Sequence, residues 1–122
     1  MSWKILETGV KRGNEELISI LSNKTIRFNR NAIDNHNLSD KKNIRILIDR
    51  EGSKFNVGFL FLDSKGDNTL KLSHQKNGSA FISGSSLLST LKLKPEEIKK
   101  KYAPDIQTYD GNKLLVIEIK KV

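Results

Sequence analysis

The stretch SNKTIRFNRNAIDNHNL at residues 22–38, followed directly by SDKKNIRILIDREGSKFNVGFLF at residues 39–61, decides the fold of this chain. Its short runs of alternating apolar and polar residues, rich in β-branched and aromatic side chains, predict strands. Between them, a run with helical spacing follows Asn29, whose side-chain oxygen can accept an orphan backbone N–H at a helix start. The stretch therefore predicts a turn, a strand, a short helix and a β-hairpin, in that order.

The same signals predict that the whole chain is mainly β, with short helices. The predicted strands cover residues 3–8, 17–21, 26–29, 43–49, 55–62, 69–73, 80–83, 105–109 and 114–120. The predicted helices cover 30–37 and 85–91, with Asn29 and Ser83 as their N-caps. A helical turn is predicted over 95–101, where the lysines at 99–101 suit the negative end of the helix dipole.

The order of predicted elements occurs twice, once in residues 17–62 and once in residues 69–122. Each pseudo-repeat contains strand, turn, strand, helix, strand, turn and strand. The proposed equivalent pairs are Ile26 and Ala80, Phe28 and Ile82, and Ile33 and Leu87. Because one module cannot bury its own hydrophobic face, we expect a single domain over 1–122 built as a small pseudo-twofold β-barrel or sandwich. The alternative is a chance similarity between two ordinary hairpin modules.

The composition favours a polyanionic partner. The chain has 22 Lys and Arg against 14 Asp and Glu, which gives a formal net charge of +8. Cations near phosphates release condensed counterions, so a basic surface binds nucleic acid before any base is read. The alternative is that a composition rich in Lys and Asn reflects codon usage and solubility.

Composition and motifs also argue against several kinds of chemistry. The chain has no cysteine, which excludes a disulfide framework, a thiolate metal site and a thiol nucleophile. No secretion signal and no membrane-spanning run is found, so we expect a soluble cytoplasmic protein with no membrane partner. His36 and His74 have no spaced partner, and no nucleophile elbow, phosphate loop or calcium loop is present. We therefore expect no enzyme activity, no metal and no cofactor.

The layout of residues 18–61 resembles the AbrB/SpoVT-like family of bacterial and archaeal transition-state regulators and antitoxins. Residues 70–122 resemble it more loosely, as a second copy. The resemblance implies hairpins interleaved into one barrel, usually between two chains, and DNA contacts from basic residues around the first turn and strand. Those positions are Lys24, Arg27 and Arg30 here. Asn23-Lys24 and Asn29-Arg30 replace the family's Gly-Arg turn and Ile-Pro pair.

Strand alternation predicts that Arg27 points outward, next to Lys24 and Arg30, as a basic ridge suited to phosphates or guanine edges. An ordinary solvated role for each arginine is the alternative reading. Further candidates are Lys11 and Arg12 as a basic arm, and Lys41, Lys42 and Arg45 after the first helix. Phenylalanines at alternating strand positions, Phe81 among them, are expected to pack in the core instead of stacking on bases.

These features together predict a non-enzymatic regulatory or accessory protein that binds nucleic acid, with double-stranded DNA as its partner. The alternative is a protein–protein interaction module, such as an antitoxin-like or inhibitor protein from a mobile element, whose basic face meets an acidic protein. Either function is compatible with a homodimer.

Overall fold

The computed structural model describes Trp3 and residues 15–122. Apart from Trp3, the predicted strand 3–8 lies outside the described residues, as do the candidate residues Lys11 and Arg12. The described strands are β1 Ile18–Ile20, β2 Thr25–Phe28, β3 Asn43–Glu51, β4 Lys54–Leu62, β5 Thr69–Lys71, β6 Ser73–His74, β7 Ala80–Ser83, β8 Lys101–Tyr102, β9 Asp105–Tyr109 and β10 Asn112–Ile119. The described helices are α1 Arg30–Asn35 and α2 Ser85–Leu91, with one 3-10 turn at Pro95–Glu97.

The strands form two antiparallel five-stranded sheets. Sheet A has the order β6-β7-β2-β1-β8, and sheet B has the order β5-β3-β4-β10-β9. Their inner faces share one hydrophobic core, in which the Phe28 ring of sheet A stands edge-on to Phe59 at 5.2 Å and Phe61 at 5.1 Å of sheet B. The mainly β prediction is confirmed, and the arrangement is a sandwich of two sheets.

The strand order is symmetric about a pseudo-twofold axis. Within β6-β7-β2-β1 the axis lies between β7 and β2, and within β3-β4-β10-β9 it lies between β4 and β10. The turns that precede β2 and β7 match in detail. Lys24 and Gly78 both have positive φ, 69° and 91°. The backbone N–H of Thr25 donates to Asn23 Oδ1 at 3.1 Å, and that of Ser79 donates to Asn77 Oδ1 at 3.0 Å.

The two helices match in the same way, but with a shift of one residue from the prediction. Each helix is followed by a residue with positive φ. That residue is Asn37, at φ 55°, after α1 and Lys92, at φ 58°, after α2. The next residues close the helices, because Leu38 N–H donates to Ile33 O at 2.9 Å and Leu93 N–H donates to Leu88 O at 3.0 Å. The counterpart of Ile33 is therefore Leu88 and not Leu87.

The helix caps agree with the prediction in one module only. The Asn29 side chain accepts from Ala32 N–H at the start of α1, as predicted. In the second module the N-cap is Gly84, which has no side chain to cap with, so the assignment of Ser83 was wrong. The shift by one residue in the helix equivalence has the same origin.

Three further sequence expectations differ from the structure. The predicted strand 69–73 divides at buried Leu72, so that β5 belongs to sheet B and β6 to sheet A. The predicted helical turn over 95–101 is shorter, because Ile98 is extended and Lys101 lies in β8. The lysines at 99–101 therefore do not lie at a helix end. Barrel closure was also expected to remove sheet edges, whereas among the described strands β9 pairs with β10 alone.

Candidate nucleic-acid interface

Arg27 lies at the centre of the outer face of sheet A. Its neighbours on β2, Ile26 and Phe28, are fully buried, so strand alternation points the Arg27 side chain away from the core. The sequence prediction for the direction of this side chain agrees with its exposed position.

A row of outward residues crosses sheet A through Arg27. Direct strand pairing joins Lys101, Ser19, Arg27, Phe81 and Ser73, in that order, from β8 to β6. Adjacent strands are about 4.8 Å apart, so the backbones at Lys101 and Arg27 are separated by about 10 Å. We call these five residues the outer row.

The pseudo-twofold axis passes through the outer row. Arg27 and Phe81 pair directly, and the same turn-to-strand spacing makes them equivalent positions of the two modules. The two equivalent positions differ in chemistry, because the first module has the guanidinium of Arg27 there and the second has the aromatic ring of Phe81. Phe81 is half-buried on this outer face, so the expectation that it packs in the core was wrong.

Both sheets carry cations on their strands, but only one of them carries carboxylates. The strands of sheet A contain Arg27, Lys101 and His74 and no aspartate or glutamate. Every carboxylate on a described strand belongs to sheet B: Asp49, Glu51, Asp105 and Glu118. The outer face of sheet A therefore presents cations without intervening acidic groups from its own strands.

Lys24 and Arg30 lie at opposite ends of β2, so the predicted ridge is a line along the strand. At the strand rise of about 3.3 Å per residue they are roughly 20 Å apart, with Arg27 between them. Lys24 is exposed and is the last residue of the turn before β2. Its backbone oxygen accepts from Gly84 N–H at 2.7 Å. The stem of Arg30 lies against Gly78, and its guanidinium donates to Asp34 at 3.2 Å in an exposed, weak ion pair.

The other predicted cations have different surroundings. Lys41 donates to Asp63 at 2.8 Å, and this hydrogen bond raises the pKa of the ammonium group. Arg45 uses its guanidinium to hold the loop before β5, donating twice to the Asp67 carbonyl at 3.2 and 3.0 Å. Lys42 is exposed and lines a cavity of about 400 Å³ that Lys65 and Lys71 also line. These residues surround the start of β3 and do not belong to the outer row.

Sequence reasoning missed Lys101 and Phe81 as members of this surface. Lys101 was assigned to a helix end, yet the alternation of Lys101 with aromatic Tyr102 was a signal for a strand. Tyr102 is buried, which leaves Lys101 exposed on the opposite side. Phe81 stands between Ala80 and Ile82 in a strand, and this position carried a similar signal. If Ala80 and Ile82 face the core, alternation directs Phe81 to the outer face.

A second group of polar side chains was also missed, because its members are far apart in sequence. His36 Nε2 lies 2.6 Å from Glu16 Oε1, and His36 Nδ1 lies 3.1 Å from Lys113 Nζ. A carboxylate only accepts and an ammonium only donates, so a neutral imidazole with its proton on Nε2 satisfies both contacts. The group ties together the start of β1, the end of α1 and β10.

Within residues 15–122 and Trp3, no group of three or more metal-ligating His, Asp or Glu side chains is found. In the same part of the chain, no helix has the length and apolar character required to cross a bilayer. Neither observation assigns a function.

No match to this chain was found among protein-family models, curated proteins or solved structures. The fold and the surface define a mainly β sandwich with one basic face. The AbrB-like resemblance stays a prediction that rests on the layout of residues 18–61.

Proposed function

We propose that this chain binds double-stranded DNA through the outer face of sheet A, as a non-enzymatic cytoplasmic regulatory or accessory protein. The observation that carries the proposal is the outer row, where Arg27 and Lys101 lie on either side of Ser19 and no strand of the sheet contributes a carboxylate. A face whose strands carry cations and no carboxylate attracts phosphates.

The pseudo-twofold supports duplex DNA as the partner. Lys24 marks one end of β2, and the equivalent turn at the other end carries Lys76. The two turns are roughly 20 Å apart by strand rise, with Arg27 half-way. Duplex DNA has local twofold symmetry, and basic residues on both sides of a central arginine suit its two strands. Half-buried Phe81 adds an apolar surface next to Arg27 for a sugar or base edge.

The test is fluorescence anisotropy with a labelled duplex of about 20 base pairs at two salt concentrations. The expected result is binding whose log K falls linearly with log salt. In the double variant Arg27→Glu/Lys101→Glu, affinity should fall by about tenfold or more and the slope should decrease by about two, since each lost phosphate contact removes roughly 0.9.

The matched control is Lys54→Glu/Lys65→Glu, which makes the same change in net charge at exposed positions outside sheet A. If the control lowers affinity as much as the sheet A variant, net charge alone drives binding and the proposed face is incorrect. A competition with poly-glutamate separates DNA from an acidic protein. Equal competition per charge would favour the protein partner.

A further inference from the structure

The outer face of sheet B differs from that of sheet A, because part of it is lined by carboxylates and by no Lys or Arg. A cleft of about 590 Å³ lies on this face, and its floor includes Leu47, Gly58, Leu114 and Val116. Gly58 keeps the floor level, because a Cβ there would lie 2.8 Å from the Leu114 side chain, which occupies that space. An apolar floor of this kind on a protein surface marks a place where a partner can remove hydrophobic area from water.

Carboxylates line the cleft on both sides. Asp49 and Glu51 stand on β3, and Asp105 stands on β9. These three make no ion pair with any residue that the structure describes. Glu118 also lines the cleft and is held by Lys120, which lowers the pKa of the glutamate. In a chain with a formal net charge of +8, this face collects acidic groups.

The dimensions suit one kind of occupant. β3 and β9 are separated by two strands, so the acidic groups on them are about 14 Å apart. An α-helix with its side chains is about 10–12 Å wide. Along β3 the cleft extends from Leu47 to Glu51, about 13 Å by strand rise. Two to three turns of a helix, each about 5.4 Å long, cover that length, and a helix of ~18 residues extends beyond it at both ends.

We infer that the outer face of sheet B binds a basic amphipathic helix of another protein. Its apolar stripe covers Leu47, Leu114 and Val116, and its Lys and Arg side chains reach Asp49 and Asp105. Among the described residues, the chain's own helices cannot fill this role in a second copy. α1 and α2 have six and seven residues, and both contribute buried side chains to the core.

The probe is a fluorescent, acetylated peptide of ~18 residues in which leucines recur at three- and four-residue spacing and all other positions are lysine. Two comparison peptides are a scrambled sequence of identical composition and a Leu/Glu version of the same pattern. Binding to the folded full-length chain is measured by anisotropy. The expected result is binding of the patterned Leu/Lys peptide, and at least about tenfold weaker binding of both others.

The decisive variant is Asp49→Asn/Asp105→Asn, which preserves side-chain shape while removing two carboxylates from the cleft. We expect it to weaken peptide binding by about tenfold. The matched control is Asp40→Asn/Asp67→Asn, two exposed aspartates that do not line the cleft, which should leave the affinity within about twofold. Amide chemical shifts on peptide addition should change at Gly58 and Val116.

Three outcomes would overturn the inference. The first is equal binding of the scrambled peptide, which would show that charge alone attracts it. The second is unchanged affinity of Asp49→Asn/Asp105→Asn. The third is self-association of the chain, measured by sedimentation, that Val116→Lys abolishes, since a second copy would then be the occupant. Arg27→Glu should leave peptide binding intact, so that failure of the DNA proposal and failure of this inference are distinguishable.

Discussion

At the scale of single residues, Asn29 carries more contacts than its position as a helix cap suggests. Its Oδ1 accepts from Ala32 N–H at 2.9 Å and from Leu17 N–H at 3.1 Å, while its Nδ2 donates to Glu15 O at 2.8 Å. One side chain therefore caps α1 and fixes the approach to β1. An aspartate keeps the acceptor atom but loses the donor.

Asn29→Ala is expected to lower the free energy of unfolding by about 1–3 kcal/mol, because it leaves backbone donors without partners. Asn29→Asp should recover part of the loss. Urea titration followed by circular dichroism measures both. Ser83→Ala is the matched control and should change stability by less than about 0.5 kcal/mol, since Ser83 is not the cap of α2 and its hydrogen bond from Ser85 N–H is exposed and long, at 3.4 Å. A larger effect at Ser83 than at Asn29 would contradict this account.

Positions 84 and 52 each favour glycine, but for different physical reasons. A Cβ at Gly84 would lie 2.7 Å from the Lys24 backbone oxygen, whereas Gly52 has open space around it and a φ of +60°. Gly84→Ala should cost about 1–3 kcal/mol, and asparagine should not relieve it. Gly52→Ala should cost about 1 kcal/mol, and Gly52→Asn should restore most of that, because asparagine tolerates the left-handed region. Thermal unfolding of the four variants distinguishes a steric obstacle from backbone strain.

At the scale of elements, the group formed by Glu16, His36 and Lys113 joins three segments at one end of the sandwich. His36 has contacts on both ring nitrogens, at 2.6 and 3.1 Å, and its side chain is only 10% exposed. His74, the other histidine, makes one contact, with the Lys41 carbonyl oxygen at 2.6 Å, and is exposed. The two residues therefore form an internal comparison.

His36→Ala should lower the free energy of unfolding by about 1–3 kcal/mol, because the partly buried Glu16 carboxylate then keeps only the Asn35 Nδ2 donor, at 3.2 Å. His74→Ala should cost less than about 1 kcal/mol. Urea titrations at neutral pH measure both. Glu16→Gln tests the cause, since the loss of the charge-assisted bond should reproduce part of the His36 effect. Equal costs for the two histidines would show that the group does not stabilise the junction.

At the scale of the whole molecule, the two outer faces point in opposite directions, one with cations and no strand carboxylate and the other with an acidic cleft. The sheets are about 10 Å apart and each outer layer of side chains adds to that distance, whereas the screening length at physiological salt is about 8 Å. The faces should therefore act independently.

DNA affinity should change by less than about twofold in Asp49→Asn/Asp105→Asn at physiological salt, because the cleft is beyond the screening length from Arg27. In the same way, saturating Leu/Lys peptide should leave the affinity of the protein for DNA unchanged, once direct binding of the peptide to DNA is subtracted. Anisotropy titrations with each ligand in the presence of the other measure this. A shift of about tenfold in either direction would show that the faces are coupled.

The local sequence determined most of the elements of this protein. Alternation fixed which residues of β2 face the core, the oxygen of Asn29 capped α1, and turn residues ended the strands, because each of these effects acts between neighbours in the chain. Only the tertiary structure decided which strands are adjacent. Pairing of Arg27 with Phe81 and of Ser19 with Lys101 joins residues far apart in sequence. Such pairings are set by burying both sheets against one core, and the same packing separated the basic face from the acidic cleft.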